Sequence, residues 1–298
     1  MELAGRLRGI FPPLVTPFTS EGALDLGAFE ANLEAYAGTG LAGYLVLGSN
    51  GEANVLEESE KLELISTARR LAGGRPLLAG AGLESTRATI ALVRKAADAG
   101  ADGVLVLPPF YFRARMSDDA LRRHFEAVAE ASPVPVLLYS VPQVTGSSLS
   151  PALVAALARH PNLAGIKESS GDIALLGRIA AAAPLSFATM CGSGPVIYPA
   201  LCVGARGGIL AVACCSPRPA AALFDAYQSG DHARARRLQE ELLPLAAAVT
   251  SGHGVAGLKA AMELAGLRGG SLREPLLPVP ASVREELGAL LRRAEAAA

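Results

Sequence analysis

Lysine is scarce in this chain. Of its 27 basic residues only Lys61, Lys95, Lys167 and Lys259 are lysines, and arginine supplies the rest. The cysteines are few and poorly spaced for chemistry: Cys191, Cys202 and the adjacent pair Cys214 and Cys215, the last two within an apolar stretch that reads as strand. Cysteines of this kind behave as small hydrophobes, so neither a disulfide framework nor a zinc site is expected. The histidines, His124, His160, His232 and His253, are scattered and form no ligand pattern, so no metal is expected. An excess of one charge is missing as well. The formal net charge is −1 with the basic residues dispersed, which removes the electrostatic case for nucleic acid or an anionic membrane as partner. No apolar run reaches the roughly 18–20 residues that cross a bilayer. The opening MELAGRLRGIFPPLV lacks the unbroken apolar segment of a secretory signal, so a cytoplasmic location is expected.

What the chain has is a large apolar fraction, 51% of 298 residues, enough for one large α/β barrel or two ordinary domains. Short apolar runs alternate with helical patterns. The runs are Ile10–Val15, Gly43–Gly48, Pro76–Gly82, Gly103–Leu107, Val134–Tyr139, Leu163–Lys167, Phe187–Cys191 and Gly207–Val212. Between them lie stretches with helix punctuation. DLGAFEANLEAYAGTG ends in glycine, LEESEKLELISTARRLAGG has acids early and arginines late, and STRATIALVRKAADAG and SDDALRRHFEAVAEASP open on serine caps. Strands that are apolar throughout belong to a parallel sheet buried on both faces. Eight of them, each followed by a helix, predict a (β/α)₈ TIM barrel over residues 1–230, with residues 231–298 as a C-terminal helical extension packed on it.

In such a barrel, functional groups sit at the carboxyl ends of strands and in the loops that follow. The sixth run ends in Lys167, a lysine where the chain otherwise uses arginine. Arginine keeps its proton in a protein, whereas a desolvated lysine can lose it and become a nucleophilic amine. The fifth run ends in Tyr139, and the second leads into GSNGE, Gly48–Glu52. There the two glycines permit a tight turn around Ser49 and Asn50, whose converging amides suit a carboxylate. Singly these are a salt-bridged lysine, a core tyrosine and a turn. Together, on one predicted face, they describe amine catalysis on a 2-oxo acid: Schiff-base formation at Lys167, proton relay by Tyr139 and carboxylate binding by the Ser49–Asn50 turn. The imine is its own electron sink, so no cofactor is expected. Lys61, Lys95 and Lys259 fall in helical patterns and are expected to be solvated or at helix–helix contacts.

The stretches PPLVTPF, GSNGE, LYSVPxxTG and IKESSGD, in that order, resemble the dihydrodipicolinate synthase / N-acetylneuraminate lyase family of pyruvate-dependent class I aldolases, from about Gly9 to about Leu290. The resemblance implies a homotetrameric enzyme. Lys167 stands at the family's Schiff-base position, Tyr139 at its proton-shuttling tyrosine and Ser49 at its loop hydroxyl. Tyr111 of PPFYFRARM stands at a tyrosine given across a dimer interface, Gly192 and Ile209 at positions lining the pyruvate site, and Ser169 where it would face the incoming substrate. One departure stands out. The synthase pattern carries an arginine for the carboxylate of aspartate semialdehyde where this chain has Val144, and losing such a charged partner costs on the order of 2–5 kcal/mol. That argues against dihydrodipicolinate synthesis unless Arg113 or Arg115 reaches in. Segments such as ESTRATI, YFRARMS and GLRGGSLREPL look closer to the 4-hydroxy-2-oxoglutarate aldolase branch. Cleavage to pyruvate and glyoxylate is therefore the first expectation. Dihydrodipicolinate synthesis, a sugar-acid lyase or dehydratase, and a catalytically silent 2-oxo-acid-binding barrel are the alternatives.

Overall fold

Eight strand–helix pairs occupy most of the computed structural model, which describes residues 3–297. The strands are β1 (Gly9–Phe11), β2 (Tyr44–Val46), β3 (Leu77–Gly80), β4 (Gly103–Val106), β5 (Val136–Ser140), β6 (Leu163–Glu168), β7 (Ala188–Cys191) and β8 (Gly207–Ile209). Their helices are α1 (Leu26–Tyr36), α2 (Glu58–Leu71), α3 (Thr86–Asp98), α4 (Asp118–Ala131), α5 (Pro151–Leu157), α6 (Ile173–Ala182), α7 (Ile197–Cys202) and α8 (Pro217–Gln228). The strands pair in parallel in the order β1-β8-β7-β6-β5-β4-β3-β2. The two ends meet at a bridge between Pro13 and Leu45, where the Leu14 amide donates to the Leu45 carbonyl at 2.8 Å. This is the (β/α)₈ barrel expected from the alternation of strand and helix.

All eight expected strands exist, and their ends differ for local reasons. β1 stops at Phe11 because Pro12 and Pro13 have no amide hydrogen to continue the ladder. β8 stops at Ile209, and Ala211–Cys214 form a helical turn, so Cys214 and Cys215 are not in a strand as the sequence suggested. Both are buried free thiols, and burial pushes the Cys215 thiol up to about 12, which makes it inert at neutral pH.

Two apolar layers surround the strands. Inside the barrel Phe11, Leu45, Leu78, Leu105, Leu137, Tyr139, Met190 and Ile209 pack together, with Leu3 and Leu7 plugging the amino-terminal end. Outside, residues of the opposite strand faces meet the helices. The serine caps act as expected: Ser85 accepts from the Ala88 amide at 3.1 Å and Ser117 from the Ala120 amide at 3.3 Å. After α8 come α9 (His232–Ala247), α10 (Gly254–Leu264) and α11 (Ala281–Glu295). α9 is tied to the β7 side by Gln239, which receives the Tyr198 amide at 2.8 Å and donates to the Gly194 carbonyl at 3.2 Å.

One buried group makes the fold sensitive to acid. His124 on α4 is 6% exposed, lies with Nδ1 2.9 Å from the Thr86 hydroxyl, and burial pushes its pKa down from 6.5 to about 4. Below pH 6.5 the unfolded chain therefore takes up a proton that the folded chain refuses. Stability should fall by about 3 kcal/mol as the pH drops from about 6.5 to about 4, and no further from this group below that. Urea midpoints measured across that window test this. His124→Gln should flatten the slope, and an unchanged slope in that variant would place the acid sensitivity elsewhere.

Candidate active site

An irregularity in β6 decides which way its last residues point. Val136 of β5 pairs with Leu163, but Leu137 pairs with Gly165, which leaves Ala164 as an extra residue on β6. Leu163 faces the helices, so regular alternation would turn Lys167 outward as well. The extra residue shifts the phase by one, and Lys167 then pairs with Tyr139 on one side and with Met190 on the other, both interior residues. Gly165 permits this. A Cβ there would stand 2.4 Å from the Ala188 carbonyl oxygen.

Lys167 is 4% exposed and Tyr139 6%. The lysine Nζ lies 3.5 Å from the tyrosine hydroxyl and 4.5 Å from the centre of its ring. Ser169 and Gly192 complete the group. Gly192 donates to the Glu168 carbonyl at 2.6 Å, and a Cβ on it would fall 1.8 Å from the Ser169 hydroxyl and 3.1 Å from Lys167 Cε. Only glycine lets the β7 end approach this closely. The Ser169 hydroxyl is buried without a hydrogen-bond partner among the described residues, a polar group left for something else to satisfy. Ile209 is fully buried in the same interior layer as Tyr139. Glu168, next along the strand, points to the outer side, receives the Ser170 amide at 3.0 Å, and burial raises its pKa against that bond.

Ser49 starts a short helical turn over Ser49–Gly51, with Asn50 half-buried beside it. Ser49 shares with Tyr139 the wall of a cavity of about 390 Å³, whose other sides are largely apolar: Leu47, Leu83, Leu107, Phe110 and Val144. Val144 is thus at the cavity, as its place in LLYSVPQVTG suggested. Arg113 lies near it, with its Nη1 2.5 Å from where a Cβ on Gly146 would stand. Tyr111 is not brought to this group. It is 78% exposed on the rim, edge-on to Phe112 at 5.0 Å, with its amide held by Glu84 at 2.9 Å.

Lys259 is neither solvated nor, at its ammonium group, in a helix–helix contact, the two alternatives expected of it. It is 3% exposed on α10 and its Nζ lies 2.5 Å from Glu52 Oε1, the last residue of GSNGE, whose side chain is 1% exposed. Burial lowers the Lys259 pKa and Glu52 opposes that effect. The signal was present in the sequence: a lone lysine inside the apolar stretch GVAGLKAAM, in a chain that elsewhere uses arginine for charge.

A buried lysine and tyrosine are thus in contact at the carboxyl rim of a (β/α)₈ barrel, beside an unsatisfied hydroxyl and a turn-lined cavity. The Dihydrodipicolinate synthetase family matches residues 6–294, and the chain belongs to that family of pyruvate-dependent lyases and synthases. It is 38% identical over 287 residues to the 4-hydroxy-tetrahydrodipicolinate synthase of Methanoculleus marisnigri, covering 95% of this chain and 98% of that one. It is also 38% identical over 271 residues to the synthase of the same name from Exiguobacterium sibiricum, covering 91% and 92%. Among solved structures, a prophage protein of the dihydrodipicolinic acid synthase family from E. coli K12, in complex with pyruvate, superposes with a TM-score of 0.90 at 31% identity, covering 97% of this chain and 98% of that one.

The Gly192 approach is testable. Gly192→Ala must displace Ser169 or Lys167, and a shift near 1 Å at a reacting group costs about 100-fold in turnover. We expect a loss of that order in kcat/KM with native circular dichroism retained. Activity within about threefold of the parent would show that the close approach is not required.

Proposed function

We propose that Lys167 forms a Schiff base with C2 of pyruvate and that the chain makes or breaks a carbon–carbon bond at C3. The observation that carries this reading is the buried contact of Lys167 Nζ with the Tyr139 hydroxyl at 3.5 Å. The neutral amine attacks the ketone, water leaves from the carbinolamine, and the protonated imine draws electrons from C3. Tyr139 moves the protons at each stage. The Ser49–Asn50 turn takes the carboxylate, Ser169 meets the substrate, and Gly192 and Ile209 shape the pocket. Tyr111 in this reading serves a neighbouring subunit of a homotetramer, which its outward position on the rim supports. A cytoplasmic setting suits the free thiols.

For the second substrate, the named relatives reverse the order expected from the sequence. Condensation of pyruvate with aspartate semialdehyde now stands first, supported by similarity to two 4-hydroxy-tetrahydrodipicolinate synthases and by Arg113, a cation beside Gly146, itself two residues after Val144. Cleavage of 4-hydroxy-2-oxoglutarate to pyruvate and glyoxylate is the second reading, favoured by Val144 itself, an isopropyl group on the cavity wall.

Borohydride added with pyruvate should reduce one pyruvyl unit onto Lys167, located by peptide mass spectrometry. Lys167→Arg should abolish turnover with the fold intact, because arginine cannot present a neutral amine. Labelling at another lysine, or none, defeats the mechanism. For the second substrate, steady-state rates with aspartate semialdehyde should exceed pyruvate release from 4-hydroxy-2-oxoglutarate, and Arg113→Ala should lower the first selectively. The reverse ranking would restore the cleavage reading.

A further inference from the structure

The turn assigned to the carboxylate is held from an unexpected direction. It is bracketed by two non-glycine residues in the left-handed region, Leu47 at φ 58° and Glu52 at φ 53°. Such conformations cost on the order of 1–3 kcal/mol each and persist only where the surroundings enforce them. On one side Thr16 donates to the Gly51 carbonyl at 2.7 Å. On the other, the polar contacts of the Glu52 carboxylate among the described residues come from the C-terminal extension: Lys259 Nζ at 2.5 Å on Oε1, and the Arg273 amide at 3.1 Å on Oε2.

Those two cations are themselves fastened. Lys259 Nζ also donates to the Ser271 carbonyl at 2.6 Å. The Arg273 side chain donates to the Val55 and Gly22 carbonyls at 2.8 Å each and forms a two-pronged pair with Glu60. Both lie over the Phe18 ring, Lys259 Nζ at 4.6 Å and Arg273 Cζ at 4.3 Å from its centre. Phe18 closes the TPF segment that follows β1. The extension therefore grips the barrel between the loops after β1 and β2, and Val255, Pro275 and Leu276 from the same segment line the cavity.

Burying a full ion pair is a costly way to join two elements, since desolvation takes several kcal/mol per ion and well-packed apolar groups often do as well or better. What the pair supplies that apolar groups do not is direction: a carboxylate held by a buried cation at one oxygen and a backbone amide at the other fixes the backbone that carries it. We propose that Glu52, Lys259 and Arg273 are positioning residues through which the C-terminal extension sets the Ser49–Asn50 turn, and so sets the affinity of the site for the carboxylate of the 2-oxo acid. The inference rests on the assignment of that turn to the carboxylate and of Lys167 to the imine.

The test uses the full chain and titrates borohydride labelling of Lys167 with pyruvate, alongside melting temperature. Lys259→Met, Glu52→Gln and the double variant E52Q/K259M are compared with Lys259→Arg and Arg273→Lys. The single neutralisations should raise half-saturating pyruvate roughly tenfold or more while the maximal labelling rate changes by less than about threefold. The double variant, which leaves no lone buried charge, should regain melting temperature without regaining affinity. K259R should recover part of the affinity. If the single variants do not fold, the double variant and R273K, which keeps the Lys259–Glu52 pair and loses the fork on Glu60, carry the comparison. Half-saturation unchanged in folded variants, or affinity that simply follows melting temperature, would overturn the proposal. Absence of labelling in the parent enzyme would overturn the imine assignment and this inference with it.

Discussion

The site depends on one register. Lys167 meets Tyr139 only because β6 carries an extra residue at Ala164 before it pairs with β5. Side chains alternate along a strand, so a shift of one position exchanges inside for outside. Without the extra residue the interior position would fall to Ile166, and Lys167 would turn toward the helices as a buried, unpaired cation. With it, Lys167 stands level with the interior residues Tyr139 and Met190 at the open end of the barrel. Gly165 at the irregularity and Gly192 on the next strand remove the side chains that would otherwise occupy the same space.

Burial of this kind needs a reason. A cation shielded from water is costly, and Lys167 is given a ring face and a hydroxyl, with no carboxylate contact among the described residues. Lys259 makes the opposite case in the same molecule. It is as deeply buried, but a carboxylate and a carbonyl contact its ammonium group. Among the described residues one lysine lies against a tyrosine and the other against an anion.

How much of this could be seen in the sequence varies by element. The barrel was legible because the strands are largely apolar and several helices carry side-chain caps, Ser85 and Ser117 among them. Strand ends were less so, since proline at positions 12 and 13 and the helical turn after Ile209 shortened runs whose apolar character continues past them. Lys167 and Tyr139, which are in contact, and Ser49 were singled out from residue type and place. The irregularity in β6 was not, because a strand apolar on both faces carries no alternation from which a slipped phase can be read. The Glu52–Lys259 pair was missed for a different reason. Its partners are far apart in the chain, and a lysine in a helical pattern is solvated by default, although its apolar neighbours Leu258, Ala260 and Ala261 argued for burial.

The seam between β1 and β2 has a mechanical consequence. Seven of the eight joints of the barrel are ladders, one of them broken by the irregularity at Ala164, while the eighth closes through the Pro13–Leu45 bridge and three backbone hydrogen bonds beside two prolines that donate nothing. A hoop made this way is softest at its fastening, and the segments leaving that point are the TPF stretch and the GSNGE turn. The C-terminal extension, laid across both, works as a clasp. Rigidity at the mouth of this barrel is thus borrowed from outside the barrel, and trimming the clasp would slacken the rim there before it loosened the staves.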